Sequence, residues 1–407
     1  HVSIHAMDRR LNASAPKVTT VTVDTPLRRR AVIVAGSAQG HPEWNSVEQG
    51  VRAAHRALTC QGYSEDDIYF LCPVVFQGVD GLPLLSNVEY ALTTWPGANL
   101  RDMVIYLIGN GGTEIFALSE TETLPASLLD AWLDALQQNM AGPITLIYDA
   151  CRSGSFLPVL TPPAGKERIV IASAAPEDSA GFGAHGAASF SGYFWPQVLN
   201  GATALNAFNT ARKAMAAGGT ASTALLDDNG NGVGNEKSDG AAARFVSLGA
   251  GILLAGDAPI IGGIVPEQTL RENTEAALWV DRVTGTKDIA QVWAVIQPPG
   301  FTAQGLCNSR LTLPLAALSS SGAGRYQGNY AGFTAEGTYQ ITAYALDVSG
   351  NLSMPETTRV TRVLAGSAPD AYEPDNTRAD ARWIGINGPN HVHTFHAGTD
   401  EDWARFH

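Results

Sequence analysis

Two patterns of apolar residues divide the chain. From Arg30 to about Gly256, short unbroken runs of Ile, Val and Leu alternate with stretches in which apolar residues recur every three or four positions. The runs are AVIVAG (31–36), DIYFL (67–71), MVIYLIG (103–109), ITLIYDA (144–150) and RIVIASA (168–174). A strand with one wet face alternates apolar and polar residues; these do not, so they predict a mostly parallel sheet covered by helices on both faces. VEQGVRAAHRALTCQG sets Val47, Val51, Ala54 and Leu58 at helical spacing before a glycine stop. PASLLDAWLDALQQN puts Leu129, Trp132, Leu133 and Leu136 on one helix face, with Asp130 and Asp134 outside. SGYFWPQVLNG and ATALNAFNTARKAMAAGG predict two further helices, with Pro196 obscuring the start of the first. The fold class of this region is α/β.

After Pro259 the grammar changes. TEAALWVDRV, IAQVWAVIQPP, SRLTLPLAAL, RYQGNYAGF and GTYQITAYALDVSGN are short strand patterns separated by Gly, Pro and Ser turns, without a helix-length segment, and predict a β-sandwich. Tyr326, Tyr330 and Phe333 are its expected core. LAGSAPDAYEPDNTRAD (364–380), dense in Pro and Asp, reads as a linker, and the stretch from Trp383 onward reads as the opening strands of another β module. Residues 1–28 lack periodicity and are expected to form a loose arm, with the opening HVSIHAMD reading as processed sequence. The expected domains are therefore 1–28, 29–257, 258–366 and 367–407.

Composition narrows the function classes. The chain has 407 residues, 45% hydrophobic and 16% charged, which argues for folded domains. Its net charge of −13 disfavours a nucleic-acid partner, since Arg28, Arg29 and Arg30 form the longest basic block and read as a solvated lead-in to a strand. Cys60, Cys72, Cys151 and Cys307 are too scattered for a disulfide framework or a zinc site, which leaves reactivity as a reason for one of them. No apolar run is long enough to span a bilayer, and GAGILLAGDAPIIGGIV is broken by Asp257 and Pro259, so no transmembrane segment is expected.

YDACRSGSF (148–156) carries the most chemical information. A strand ends at Asp149 and Ala150 and turns at once into a small-residue loop holding Cys151. In open α/β sheets ligands sit beyond the carboxyl ends of the strands, where Cys151 is delivered. The plainer reading is a buried cysteine that happens to end a strand. VIYLIGNGG (104–112) ends in its own glycine-rich turn, which would lie beside that loop.

VIVAGS (32–37), an Asn after it, the helix VRAAHRALTCQGYSEDDI, the strand ending in Gly-x-Gly-Gly and DACRSGS together resemble the caspase–haemoglobinase fold of cysteine peptidases, and above all the legumain-like family, across about residues 30–250. The resemblance implies a cysteine endopeptidase acting on peptide or protein substrates. Cys151 matches the nucleophile, Gly111 and the Cys151 amide match the oxyanion donors, and Asn45 matches the residue that orients the base. The loop before Asn45 is two residues longer than the family's.

The family's general-base histidine, expected just before Gly111, is replaced by Asn110. An imidazole lowers the thiol pKa and protonates the leaving amine; an amide has no proton to exchange near neutral pH. Losing general acid–base catalysis costs about 10²–10⁴ in rate. Asn110 is an engineered inactivation, a natural pseudoenzyme feature, or a change compensated by His41 or His185. Asp149 resembles the acid that confers Arg/Lys preference in metacaspase- and clostripain-like relatives, or else it bonds only its own loop. Legumain-like asparagine preference depends on an arginine just after the position of Asn45, where this chain has Ser46 and Val47. The leading reading is an impaired peptidase; the alternative is a noncatalytic peptide-binding or surface-adhesion protein on the same scaffold. Transpeptidation shares the acyl-enzyme step and stays open.

LLDDNGNGVGNEKSDG (225–240) matches the first half of a calcium-loop template through Asp227, Asn229, Asn231 and Gly232. Val233, Glu236 and Asp239 complete the candidate ligands, while Ser238 stands where the template has Glu; the competing reading is a polar turn-rich loop. Calcium is the one cofactor implied. ITAYALDVSGNLSMPE (341–356) resembles an immunoglobulin- or fibronectin-like module of bacterial surface proteins, and YEPDN with HTFHAGTDEDWARF is similar to the start of pre-peptidase C-terminal domains. Both resemblances imply a secreted or cell-envelope bacterial protein, with association at a cell surface.

Overall fold

A computed structural model of the chain describes residues 2–4, 14–15, 17–19, 27–36, 44–180, 182–183, 188–218, 222–254, 256–271, 273–301, 313–363, 370–385, 388, 391, 393 and 401–406. Its α/β part is built on six strands: β1 (Arg28–Gly36), β2 (Ile68–Leu71), β3 (Leu100–Gly109), β4 (Ile144–Asp149), β5 (Arg168–Ala172) and β6 (Leu225–Asp227). They lie in the order β6-β5-β4-β3-β1-β2, all parallel except β6, which runs antiparallel to β5. Five helices cover them: α1 (Trp44–Cys60), α2 (Leu85–Thr93), α3 (Ala126–Gln138), α4 (Phe190–Leu199) and α5 (Ala204–Ala217).

The unalternating strands have a direct structural cause. Ile33, Tyr106, Ile108 and Ile147 point to one face and pack with Val47, Val51, Phe194 and Phe208 from α1, α4 and α5. Val32, Val34, Ile105 and Leu107 point to the other and pack with Val88, Leu92, Leu129 and Leu133 from α2 and α3. Each strand residue is therefore removed from water whichever way it points. α2 had no clear sequence signal. Pro196 lies inside α4, whose start is held by Ser189 Oγ accepting from the Gly192 amide at 3.0 Å.

Three expectations about charge and order change. Arg30 is buried rather than solvated: its guanidinium lies 4.5 Å from the Trp95 ring centroid, 3.2 Å from Asp67 Oδ1, and donates to the Asp66 carbonyl. Asp130 and Asp134 are not idle surface acids, because the fully buried Arg168 donates to each at 2.7 Å and also to Gln137. Within the expected loose arm, Val2–Ile4 pairs antiparallel with Lys17–Thr19.

The second part contains β7 (Gly263–Ile264), β8 (Gln268–Arg271), β9 (Ala276–Asp281), β10 (Ile289–Gln297), β11 (Leu315–Gly322), β12 (Arg325–Tyr330), β13 (Gly337–Asp347) and β14 (Glu356–Val363). They form one curled sheet in the order β7-β9-β12-β11-β10-β13-β14-β8, a β-rich module consistent at the coarse level with the expected sandwich. β11 is the reason for the curl: residues 315–318 pair with β10, and from Ser319 onward it pairs with β12. The curl encloses a core around Phe333, Tyr339, Ile341 and Val360, with Tyr326 and Tyr330 half-buried at its margin.

The two parts share a buried seam. Trp293 and Tyr344, stacked with centroids 5.6 Å apart, belong to the same buried cluster as α1 and α4. Tyr193 donates to the Ser353 carbonyl at 3.2 Å, Asn200 to Asn351 Oδ1 at 3.1 Å, and Arg56 to the Ser349 carbonyl at 3.2 Å. In the C-terminal segment Arg382–Ile384 pairs parallel with Ala404–Phe406. Among the described residues no helix is long and apolar enough to cross a membrane.

Trp195 of α4 is fully buried against Tyr106 and Phe194, with ring centroids 4.9 and 5.3 Å away. Trp195→Ala is expected to lower stability by about 3–5 kcal/mol through lost burial and the cavity left behind. Denaturant unfolding of the two proteins checks it.

Candidate functional site

The site is placed by strand register. β3 and β4 pair in parallel with Ile108 opposite Asp149, so the chain continues with Asn110 level with Cys151. Gly109 ends β3 with φ +151°, and a Cβ there would run into the Gly36 carbonyl of the neighbouring strand end. Gly111 is held as closely on the other side, where a Cβ would strike the Cys151 carbonyl oxygen. Glycine is needed at both positions because two backbones meet there.

The loop carrying Cys151 is fastened from both sides. Ser153 Oγ accepts from the Ala174 amide at 3.1 Å, and the Gly154 amide donates to the Ala174 carbonyl at 2.8 Å, tying the loop to the end of β5. Ser155 Oγ accepts from the Glu114 amide at 2.8 Å, and Arg152 donates to Thr113 Oγ1 at 3.1 Å, tying it to the turn after β3. Beyond that turn a short antiparallel meander, Gly111–Gly112, Ile115–Ala117 and Thr123–Pro125, sinks Phe116 and Leu124 into the core.

Cys151 is buried, and its Sγ accepts from the Ala180 amide at 3.4 Å. Asn110 is half-buried; its amide N–H reaches the Gly36 carbonyl at 3.4 Å, and its carbonyl accepts from Ala117 at 3.0 Å. Its side-chain Oδ1 is buried and meets no hydrogen-bond donor among the described residues. Asn45 lies exposed in the first turn of α1. His41, His185 and Cys307 lie outside the described residues. Cys72 is a second buried thiol, pushed up to about 11 by burial, the inert state of a cysteine in apolar surroundings.

Asp149 is almost fully buried. Its Oδ2 accepts from the Ser191 amide at 3.2 Å and from Ser191 Oγ at 2.5 Å, and Ser191 Oγ accepts from Tyr106 at 2.6 Å. Burial raises the Tyr106 phenol well above its usual value, and the Asp149 charge adds to the effect. The carboxylate thus holds the N-terminal turn of α4 under the Cys151 loop. Neither Ser191 nor Tyr106 was singled out from sequence, because only the fold brings residues 106, 149 and 191 together.

The residues of the 227–239 loop do converge. Asp227 accepts from the amides of Asn229, Gly230 and Gly232 at 3.2, 2.9 and 2.7 Å. The Asn229 side chain donates to Asp239 at 2.8 Å and Ser238 at 3.1 Å, and that of Asn231 donates to Glu236. Val233 is exposed, with its amide bonded to Asn231 Oδ1 at 2.9 Å. Asp228, not singled out from sequence, accepts from the amides of Gly240, Ala242 and Ala243. In the C-terminal segment Asp370, His393 and Asp402 form one group and Glu373, Asp375 and Asp402 another, so clusters able to hold a divalent cation are present.

No protein-family model matches the chain, and no curated protein matches it. Among solved structures it is similar to a PKD domain of an M14-like peptidase from a Thermoplasmatales archaeon, at 20% identity over 26% of this chain and 98% of that one, TM-score 0.18. It is similar to fibronectin(III)-like modules of Clostridium thermocellum CbhA at 12% identity over 26% and 98%, TM-score 0.16. The D00-D0 domain of intimin aligns at 17% identity over 28% and 52%, TM-score 0.16. These are weak, partial likenesses to β-sandwich modules.

Gly111→Ala is expected to displace the Cys151 loop and lower stability by about 1–3 kcal/mol, because backbone cannot yield as a side-chain tip can. Gly112→Ala, whose Cβ would meet nothing within 4 Å, is the control and should stay within about 0.5 kcal/mol. Unfolding midpoints of the two variants test the contrast.

Proposed function

We propose that this chain is a noncatalytic peptide-binding protein built on a cysteine-peptidase-like scaffold of the caspase–legumain type, with an appended β-rich module. The observation that carries the reading is Asn110. It stands level with Cys151 at the position of the base, and its buried Oδ1 lacks a donor among the described residues. An amide there supplies neither thiolate formation nor leaving-group protonation. The mostly parallel, helix-covered sheet and the glycine turns beside Cys151 support the scaffold. Cys151 is read as the former nucleophile, Gly111 and the Cys151 amide as the former oxyanion donors, and Asn45 as the former base-orienting position.

An Arg/Lys preference through Asp149 fits less well, since that carboxylate is already engaged by Ser191. Secretion or attachment at a bacterial cell envelope, with protein partners, is part of the same proposal.

The wild-type chain should bind peptides from a mixed library without Cys151-dependent cleavage, and Asn110→His should raise cleavage by about 10²-fold or more, abolished by Cys151→Ala. Cleavage by the wild type that requires Cys151 and matches the histidine variant would overturn the noncatalytic reading. The loop at Asp227, Asn229, Asn231, Val233, Glu236 and Asp239 is proposed as a calcium loop. Calcium at 100-fold its dissociation constant should then stabilise the chelator-treated protein by about 2.7 kcal/mol, and Asp227→Asn should remove the gain. An unfolding curve indifferent to calcium would reject the loop.

A further inference from the structure

The C-terminal segment gathers acids and a histidine around one deeply buried carboxylate. One ligand atom each from Asp370, His393 and Asp402 lies within 4.8 Å of the others, and the same is true of Glu373, Asp375 and Asp402. Asp402 belongs to both groups and joins them. Proximity of acids alone would mean little, because exposed acids cluster on many surfaces.

Asp375 is different in kind. Its relative exposure is 0%, and neither of its carboxylate oxygens accepts a hydrogen bond. Its backbone is satisfied: the amide donates to Glu373 Oε2 at 3.2 Å and the carbonyl accepts from Trp403 at 3.1 Å. The carboxylate's ion-pair partner is His393 Nδ1, 3.1 Å from Oδ2, and that pair is charged only when the imidazole is protonated. A buried carboxylate without donors needs a proton or a cation.

His393 repeats the pattern. Its ring stacks on Tyr372 with centroids 4.9 Å apart, yet neither ring nitrogen makes a hydrogen bond. Nδ1 lies 3.1 Å from Asp375 Oδ2 and 4.0 Å from Asp402 Oδ1. Donor atoms around a tetrahedral zinc ion with bonds near 2.0 Å sit about 3.3 Å apart, close to the His393–Asp375 spacing and shorter than the His393–Asp402 one.

We propose that Asp370, Glu373, Asp375, His393 and Asp402 form a site for a first-row transition-metal dication such as Zn²⁺ or Mn²⁺. The imidazole sets the preference: calcium takes six to eight oxygen ligands, whereas mixed imidazole–carboxylate sets suit zinc and manganese. The bound ion fastens residues 370–376, which follow the curled sheet, to the strand pair formed by Arg382–Ile384 and Ala404–Phe406. It thereby sets the order of that segment.

The test uses the full chain, stripped with chelator and titrated separately with ZnCl₂, MnCl₂ and CaCl₂ by calorimetry, with Co²⁺ absorption as a direct readout of nitrogen–oxygen ligation in the wild type. The expected result is one equivalent of zinc or manganese at this site and a ligand-field cobalt spectrum. Asp375→Asn and His393→Ala should each weaken the binding at least tenfold, while Asp227→Asn leaves it unaltered. Silence of the wild type toward zinc, manganese and cobalt overturns the proposal, as does binding of calcium alone. Transition-metal binding that survives both Asp375→Asn and His393→Ala, or that is lost with Asp227→Asn, overturns it equally.

Discussion

The register between β3 and β4 places Ile108 opposite Asp149, and the turns that follow the two strands are laid out from that pairing. The glycines at the two strand ends allow neighbouring turns to meet backbone to backbone, Gly111 against Cys151 and Gly109 against Gly36. Because each strand is covered on both faces, a slip of one residue would move every apolar side chain into the opposite core. The cost of that misplacement keeps the two strand ends aligned.

Asp149 connects this strand end to the rest of the molecule. Its bonds to Ser191 hold the start of α4, and α4 also carries Trp195, Tyr193 and the seam to the curled sheet. A carboxylate that would be costly to bury alone is retained because amide and hydroxyl donors meet it. The same side chain that resembles a specificity acid in sequence thus acts as an internal tether in the fold. The consequence reaches the Cys151 loop, which begins two residues later.

The appended sheet is not a bead on a string. Trp293 and Tyr344 share a buried cluster with α1 and α4, and the loop near Asn351 bonds to residues of both helices. Removing that surface from water makes the sheet part of the support beneath the cleft. Among the described residues of the C-terminal segment, Trp383, Trp403 and Phe406 remain exposed, while acids and His393 gather in two groups.

Much of the layer structure could be read along the chain. Unbroken Ile/Val runs such as MVIYLIG announced covered parallel strands, the spacing of Val47, Val51, Ala54 and Leu58 announced α1, and DACRSGS pointed to the strand end that bears Cys151. These signals are local: burial on one or two faces imposes a period on neighbouring residues. Periodicity could not indicate that Arg30 would be buried against Trp95, that Arg168 would gather Asp130 and Asp134, or that β11 would pair on both sides and curl the sheet. Nor could it join Tyr106 to Asp149 through Ser191, or Asp375 to His393. Sequence alone determined the elements, their covered faces and the chemical identity of Asn110 beside a glycine turn. Tertiary structure decided which charges are buried and which partners meet them, because those pairings join residues tens of positions apart and depend on desolvation, which local composition does not encode.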